Sequence, residues 1–185
     1  MDRLKAIMLL AERLVKPTGS IWVQLGDYHS TEGDMALIPE RFVTSMVIDY
    51  GWHLRSKLIW YRPTDDDDEQ PADPTRFTRD WEYLYWFVKQ NPGYYFDKEC
   101  MIDYGSVFQC KYIKPNPHEF RSGFPEELIE TAVCITCPDD GIVLDPFTGT
   151  GTTGAVALEC HANFIGIEQK AELIAAIILR LEEGD

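Results

Sequence analysis

The stretch GIVLDPFTGTGTTGAVALECHANFIGIEQ, residues 141–169, constrains the fold more than any other part of the chain. It reads as a strand, a glycine-rich turn, a helix and a second strand that ends on an acid. Such a unit pairs its two strands in parallel and presents a nucleotide-like cofactor with a backbone turn at the helix start. Strands and helices largely alternate over the rest of the chain, which predicts an α/β fold with a mostly parallel sheet.

The remaining elements follow from periodicity. Residues 2–15 place Leu4, Ile7, Met8, Ala11, Leu14 and Val15 on one helical face. Ile21–Asp27 reads as a buried strand, and Pro39 to about Asp49 as a helix ending before Gly51. HLRSKLIWYRP is a second strand and Asp80–Gln90 a third, rich in aromatics. A loop-rich stretch runs from Tyr94 to about Gly123. A helix then starts at Pro125, with acids in its first turn where negative charge is favoured. KAELIAAIILRLEE closes the chain as an amphipathic helix.

Composition limits what such a fold can do. With 185 residues there is room for one domain with a real core. No apolar run approaches the roughly 18–20 residues of a membrane helix, and no leader follows Met1, so a soluble, cytoplasmic protein is expected. A formal net charge of −14 argues against a surface that grips phosphates everywhere. Much of the acid lies at Asp65–Glu69 and in the last residues; the first run lacks the spaced ligands of a calcium loop and reads as a solvated segment. Five cysteines are present. Cys134 and Cys137 form a C-x-x-C with no second pair and no histidine pair, so core packing is preferred to a metal site, and no metal is expected. Disulfides are not expected.

Gly149-x-Gly151-x-x-Gly154 matches the dinucleotide fingerprint, with Glu168 where a ribose-binding acid should fall. The residues before the turn separate the cofactors. Asp145 ends the strand below it, and a pyrophosphate there would meet a repulsive neighbour. S-adenosylmethionine carries an ammonium and a sulfonium but no phosphate, and suits a carboxylate. The glycines let backbone approach the cofactor closely, and Glu168 can accept hydrogen bonds from ribose hydroxyls. A nicotinamide-dependent oxidoreductase remains the alternative.

LDPFTGTGTTGAVALECHANFIGIE resembles the cofactor motif of the amino-group DNA methyltransferases, which modify cytosine N4 or adenine N6. The resemblance is carried by Asp145-Pro146-Phe147, then Gly149, Gly151, Thr152 and Thr153, then Gly166-x-Glu168. RLVKPTGSIWVQLGDY, GWHLRSKLIWYRP, RFTRDWEYLYWFVK, YYFD and KPNPHEFRSGFPEELIE are similar to successive segments of that family, in the same order. The resemblance implies a Rossmann-like methyltransferase fold, a mostly parallel sheet with one antiparallel strand, S-adenosylmethionine as cofactor and DNA as partner. It also implies that Phe124 and Pro125 line the methionine end of the cofactor. The order is the permuted one, with the cofactor motif last. Residues 1–97 are expected to form the catalytic half without its start, 98–117 a short loop region in the target-recognition position, and 118–185 the cofactor-binding half.

The family's D/N/S-P-P-Y/F/W motif, whose polar group and aromatic hold a flipped-out base, does not occur in these residues. Asn91-Pro92-Gly93-Tyr94 has one proline and reads as a turn, while Asp145-Pro146-Phe147 belongs to the cofactor turn. The resemblance places the real motif before Met1, so the sheet is expected to be incomplete: closed up, or completed by a second copy or a separate chain. No catalytic residue is assigned. Arg76, Arg79 and Arg121 could touch phosphates, and Trp81, Tyr83 and Tyr85 either offer a stacking platform or pack in the core. The expected function is methyl transfer to a DNA amine; the alternative is a non-catalytic binding or scaffold protein on the same fold.

Overall fold

The computed structural model describes residues 2–63, 75–77, 80–101, 105–110, 113–116, 121–123 and 125–182. Asp65–Glu69, Arg79 and Phe124 lie outside them, as does the side chain of Arg121. The chain forms two compact units, Met1–Tyr95 with Gly105–Gln109, and Phe96–Tyr104 with Cys110–Asp185.

The first unit contains α1 (Asp2–Leu14), β1 (Ser20–Leu25), α2 (Ile38–Ile48), β2 (His53–Tyr61), β3 (Trp81–Val88) and β4 (Val107–Gln109). The sheet order is β1-β3-β2-β4. β3 runs antiparallel to both β1 and β2, and β4 runs parallel to β2. Three strands therefore share one direction and β3 opposes them. β3 carries buried side chains on both faces, and a strand covered on both faces reads as a near-continuous apolar run, which accounts for WEYLYWFV. Tyr85 and Phe87 point to the face where α1 and α2 supply Met8, Phe42 and Met46. Phe42 meets Phe87 edge to face, with centroids 6.2 Å apart. On the other face Trp86 stacks on Trp22 at 5.2 Å, and its indole N–H donates to Ser20 Oγ at 3.0 Å. Tyr83 and Tyr85 are core residues rather than a stacking platform, whereas Trp81 is 44% exposed.

Two side chains close helix ends that local sequence leaves open. Asp27 accepts the N–H groups of Leu37 at 2.9 Å and Ile38 at 3.0 Å, satisfying amides that the first turn of α2 cannot pair itself. Lys89 donates to the carbonyls of Glu12 and Val15 at the other end of α1. The helix predicted over residues 2–15 is present, but Leu14 is not on its buried face: it is 68% exposed. The residue lies in the last turn, where chain direction rather than periodicity sets what faces the sheet.

The second unit contains β5 (Ile113–Asn116), β6 (Arg121–Gly123), α3 (Glu126–Thr136), β7 (Ile142–Asp145), α4 (Thr152–Glu159), β8 (Asn163–Gly166) and α5 (Ala171–Glu182). β5 and β6 form an antiparallel pair, β7 and β8 a parallel one. Among the described residues β7 and β8 pair only with each other, and β1 only with β3. The stretch expected to be loop from Tyr94 to Gly123 holds three short strands, β4, β5 and β6. Strands of three or four residues are too short for a period-2 pattern to register. Pro125 is the residue before α3 rather than its first helical one, with extended backbone at φ −71°, ψ 152°. Asn91-Pro92-Gly93 forms a turn after β3, with a cis Asn91–Pro92 peptide.

All five cysteines are free thiols. Cys134 hydrogen-bonds to Cys160, and burial, followed by that hydrogen bond, pushes the Cys160 thiol up to about 12. Among the described residues no three His, Cys, Asp or Glu side chains are placed to hold a metal, and no helix is long and apolar enough to cross a membrane.

Tyr85 provides a test of the first unit's core. Its ring is fully buried, yet its hydroxyl has no hydrogen-bond partner among the described residues; burial, then the Glu40 carboxylate, raise its pKa. An unsatisfied buried hydroxyl costs about 1–3 kcal/mol. Tyr85→Phe is therefore expected to raise stability by about 1 kcal/mol in urea unfolding, while Phe42→Ala lowers it by about 3–5 kcal/mol. A Tyr85→Phe protein less stable than the parent would show that the hydroxyl is bonded.

Candidate functional site

β7 and β8 run side by side with Ile142 opposite Asn163 and Asp145 opposite Gly166. This register brings both strands to an end at the same level, so that Asp145 and Glu168 flank the turn from Pro146 to Gly151. Ligands of open α/β sheets bind at this carboxyl end of the strands.

The turn is built by backbone bonds that its residue types make possible. Asp145 Oδ1 accepts the N–H of Phe147 at 2.8 Å, a short acid-to-backbone loop typical of Asp in turns. The Thr148 hydroxyl donates to the Asp145 carbonyl at 3.0 Å, and its own N–H reaches the Ile167 carbonyl at 3.2 Å. The Ile167 N–H in turn donates to the Asp145 carbonyl at 2.9 Å. Thr148, 6% exposed, thus ties the end of β7 to the chain leaving β8. Gly149 and Gly151 both have left-handed backbone, at φ 57° and 84°, where a side chain costs roughly 1–2 kcal/mol. Among the described residues a Cβ on Gly149 would meet nothing closer than 3.7 Å, so they leave that side of the turn open. On Gly151 it would lie 3.2 Å from Ile177 of α5. Gly154 allows α4 to lie directly on β8: a Cβ there would be 2.7 Å from the Phe164 ring.

Glu168 uses both carboxylate oxygens on backbone. Oε2 accepts the Gly149 N–H at 3.0 Å and Oε1 the Lys170 N–H at 2.8 Å. These bonds, with Lys170 first, then Gly149 and Gln169, hold its pKa below the ordinary value. Glu168 is therefore a clamp across the turn as well as an acid at a strand end. Each oxygen retains capacity for a further donor.

The structure gathers Asp145, Pro146, Phe147, Gly149, Gly151, Thr152, Thr153 and Glu168 around one turn. Phe147 is 61% exposed at its rim and Thr152 is buried beneath it. Pro125 is buried at the start of α3 in the same unit. The donor set fits S-adenosylmethionine: acid groups flank an open turn with free approach over Gly149. Sequence reasoning missed Thr148, Glu126 and Arg180. Thr148 offered no signal beyond a buried hydroxyl position, and Arg180 reads as an ordinary base in a last helical turn.

Because the Glu168 pKa is depressed in the folded chain, its clamp is complete above the unfolded glutamate value, roughly 4.3, and is lost as pH falls through the lower folded value. Hydrogen-exchange protection at the Gly149 amide is expected to persist from neutral pH to below the unfolded glutamate value and to be lost as pH falls further. Glu168→Gln should lower the protection at neutral pH and flatten its acid dependence. An unchanged profile in the variant would remove the clamp from the account.

Comparison with known proteins bears on the whole chain. The family model described as DNA methylase matches residues 1–179. The type II methyltransferase M.Cfr9I of Citrobacter freundii is 27% identical over 221 residues, covering 100% of this chain and 72% of its own length. The solved PvuII DNA methyltransferase, described as cytosine-N4-specific, superposes with a TM-score of 0.81 at 21% identity, over 95% of this chain and 69% of its own. The M1.HpyAVI–SAM complex superposes with a TM-score of 0.68 at 24% identity, over 92% of this chain and 78% of its own. The fold is that of S-adenosylmethionine-dependent methyltransferases, and a family match over nearly the full length leaves one conclusion: the chain belongs to the DNA methylase family.

Proposed function

We propose that this chain holds S-adenosylmethionine at the turn between β7 and α4 and works as the cofactor-bearing part of a DNA methyltransferase of restriction–modification type. Its target is the exocyclic amine of cytosine (N4) or adenine (N6). The observation that carries the reading is the register of β7 on β8, which sets Asp145 and Glu168 on either side of an open glycine turn, in a chain of the DNA methylase family.

When bound, S-adenosylmethionine supplies a methyl group activated by the adjacent sulfonium. The chain's own residues bind and orient it. Asp145 places negative charge at the head of the turn, where the cofactor's positive groups gain from it. Glu168 accepts ribose hydroxyls with the capacity its backbone bonds leave free. Gly149 leaves the backbone side open, and Phe147 offers an exposed ring at the rim. Pro125 lines the methionine end in this reading.

An exocyclic base amine is a weak nucleophile because its lone pair is delocalised into the ring. Its activation needs an acceptor for the amine hydrogens and an aromatic face for the extruded base. No residue of this chain is assigned those roles. In this reading a segment outside these residues, or a second chain, supplies them.

Calorimetric titration of S-adenosylmethionine tests the cofactor half. Asp145→Ala and Glu168→Ala are each expected to weaken binding at least about tenfold, which corresponds to roughly 1.4 kcal/mol. No binding by a folded parent chain would favour the scaffold reading, and binding of a nicotinamide cofactor instead would favour an oxidoreductase. Incubation with DNA and mass analysis of the nucleosides then tests transfer: N4-methylcytosine or N6-methyladenine identifies the target. No methylated base, with or without a chain bearing the missing motif, sinks the enzyme reading.

A further inference from the structure

One face of α5 lies against the cofactor turn. Ile177 meets Gly151, Leu181 meets Gly154 and, between them, Arg180 reaches the turn itself. Arg180 Nη1 donates to the Thr150 carbonyl at 3.0 Å and lies 3.4 Å from the Thr152 hydroxyl. Its Nη2 pairs with Glu126 Oε1 at 2.5 Å. Thr150 sits between the two left-handed glycines, and Glu126 is the first residue of α3, next to Pro125.

We propose that Arg180 is a positioning residue for cofactor binding, fixing the turn between Gly149 and Gly151 and holding it at a set distance from the start of α3. This rests on the reading of the turn as the S-adenosylmethionine site. A turn whose two glycines both occupy permissive backbone has little intrinsic preference for one shape. Glu168 holds it at the Gly149 N–H, and the fork of Arg180 holds the carbonyl of the next residue. A guanidinium presents several donors in a rigid plane and can bridge two acceptors at once, which a lysine ammonium on a flexible stem does poorly. Arg180 is 23% exposed and Glu126 47% exposed, so their ion pair by itself is a weak surface contact. Its part is to orient the fork. The bond to Thr150 is the one that shapes the site.

The test compares S-adenosylmethionine affinity, thermal melting and amide exchange in the full chain and in the variants Arg180→Met, Arg180→Lys and Glu126→Gln. Arg180→Met is expected to raise the Kd at least about tenfold with little change in melting temperature. Exchange at Gly149 to Thr152 should accelerate while the amides of Val156 and Ala157, further along α4, keep their protection. Arg180→Lys should fall between parent and Arg180→Met, because its ammonium carries the charge without the fork. Glu126→Gln should stay within about threefold of the parent. If the parent binds and Arg180→Met binds equally well, Arg180 has no positioning role, although the cofactor reading stands. If the parent itself does not bind, the cofactor reading is what has failed, and selective acceleration of the turn amides still reports whether Arg180 shapes the turn. Should Arg180→Met not fold, Arg180→Lys decides: parental affinity and exchange overturn the proposal, a weakened Kd with a loosened turn supports it.

Discussion

Four residue pairs between β7 and β8 determine where every polar group of the cofactor turn lies. Because Asp145 stands opposite Gly166, the chain leaves both strands at one level, and the Asp145 carbonyl is within reach of Thr148 and Ile167. A one-residue slip would send each side chain of the pair to the opposite face. It would also separate Glu168 from Gly149. The small residues around this register are what it demands: Gly154 lets α4 lie against Phe164, and Gly166 leaves room for the Thr148 hydroxyl.

The turn is held from two directions by groups of opposite charge. Glu168 accepts a turn amide, and Arg180 donates to a turn carbonyl. Backbone polar groups in a loop carry both kinds of unmet demand, so one acid and one base together do what neither does alone. Phe147 is left exposed at the rim, while Thr148, Gly151 and Thr152 are buried below it. The first unit relies on a different principle. Its central strand is clad with aromatics on both faces, and the ends of α1 and α2 are closed by Lys89 and Asp27 from neighbouring segments.

Periodicity made the long elements legible. α2, β7 and α5 lie where residue spacing and punctuation put them, because each has a repeating face or a clear stop. Leu14 and the strands β4, β5 and β6 were not legible. A terminal helical residue is exposed or buried according to where the chain turns next, and strands of three or four residues exist only through their partners. Cys134 shows the same limit: nothing in its local spacing points to Cys160, its neighbour where α3 and α4 pack.

By itself the sequence determined the strand–turn–helix–strand unit, the permissive glycines at its bend and the two acids at its strand ends. Those depend on local sterics and on spacing along the chain. Only the tertiary structure decided that Glu168 grips Gly149 and that Arg180, thirty positions after Thr150, reaches its carbonyl. Hydrogen bonds are short-ranged and directional, so which distant groups meet is settled by how α5 and β8 pack around the turn, and no local pattern encodes that.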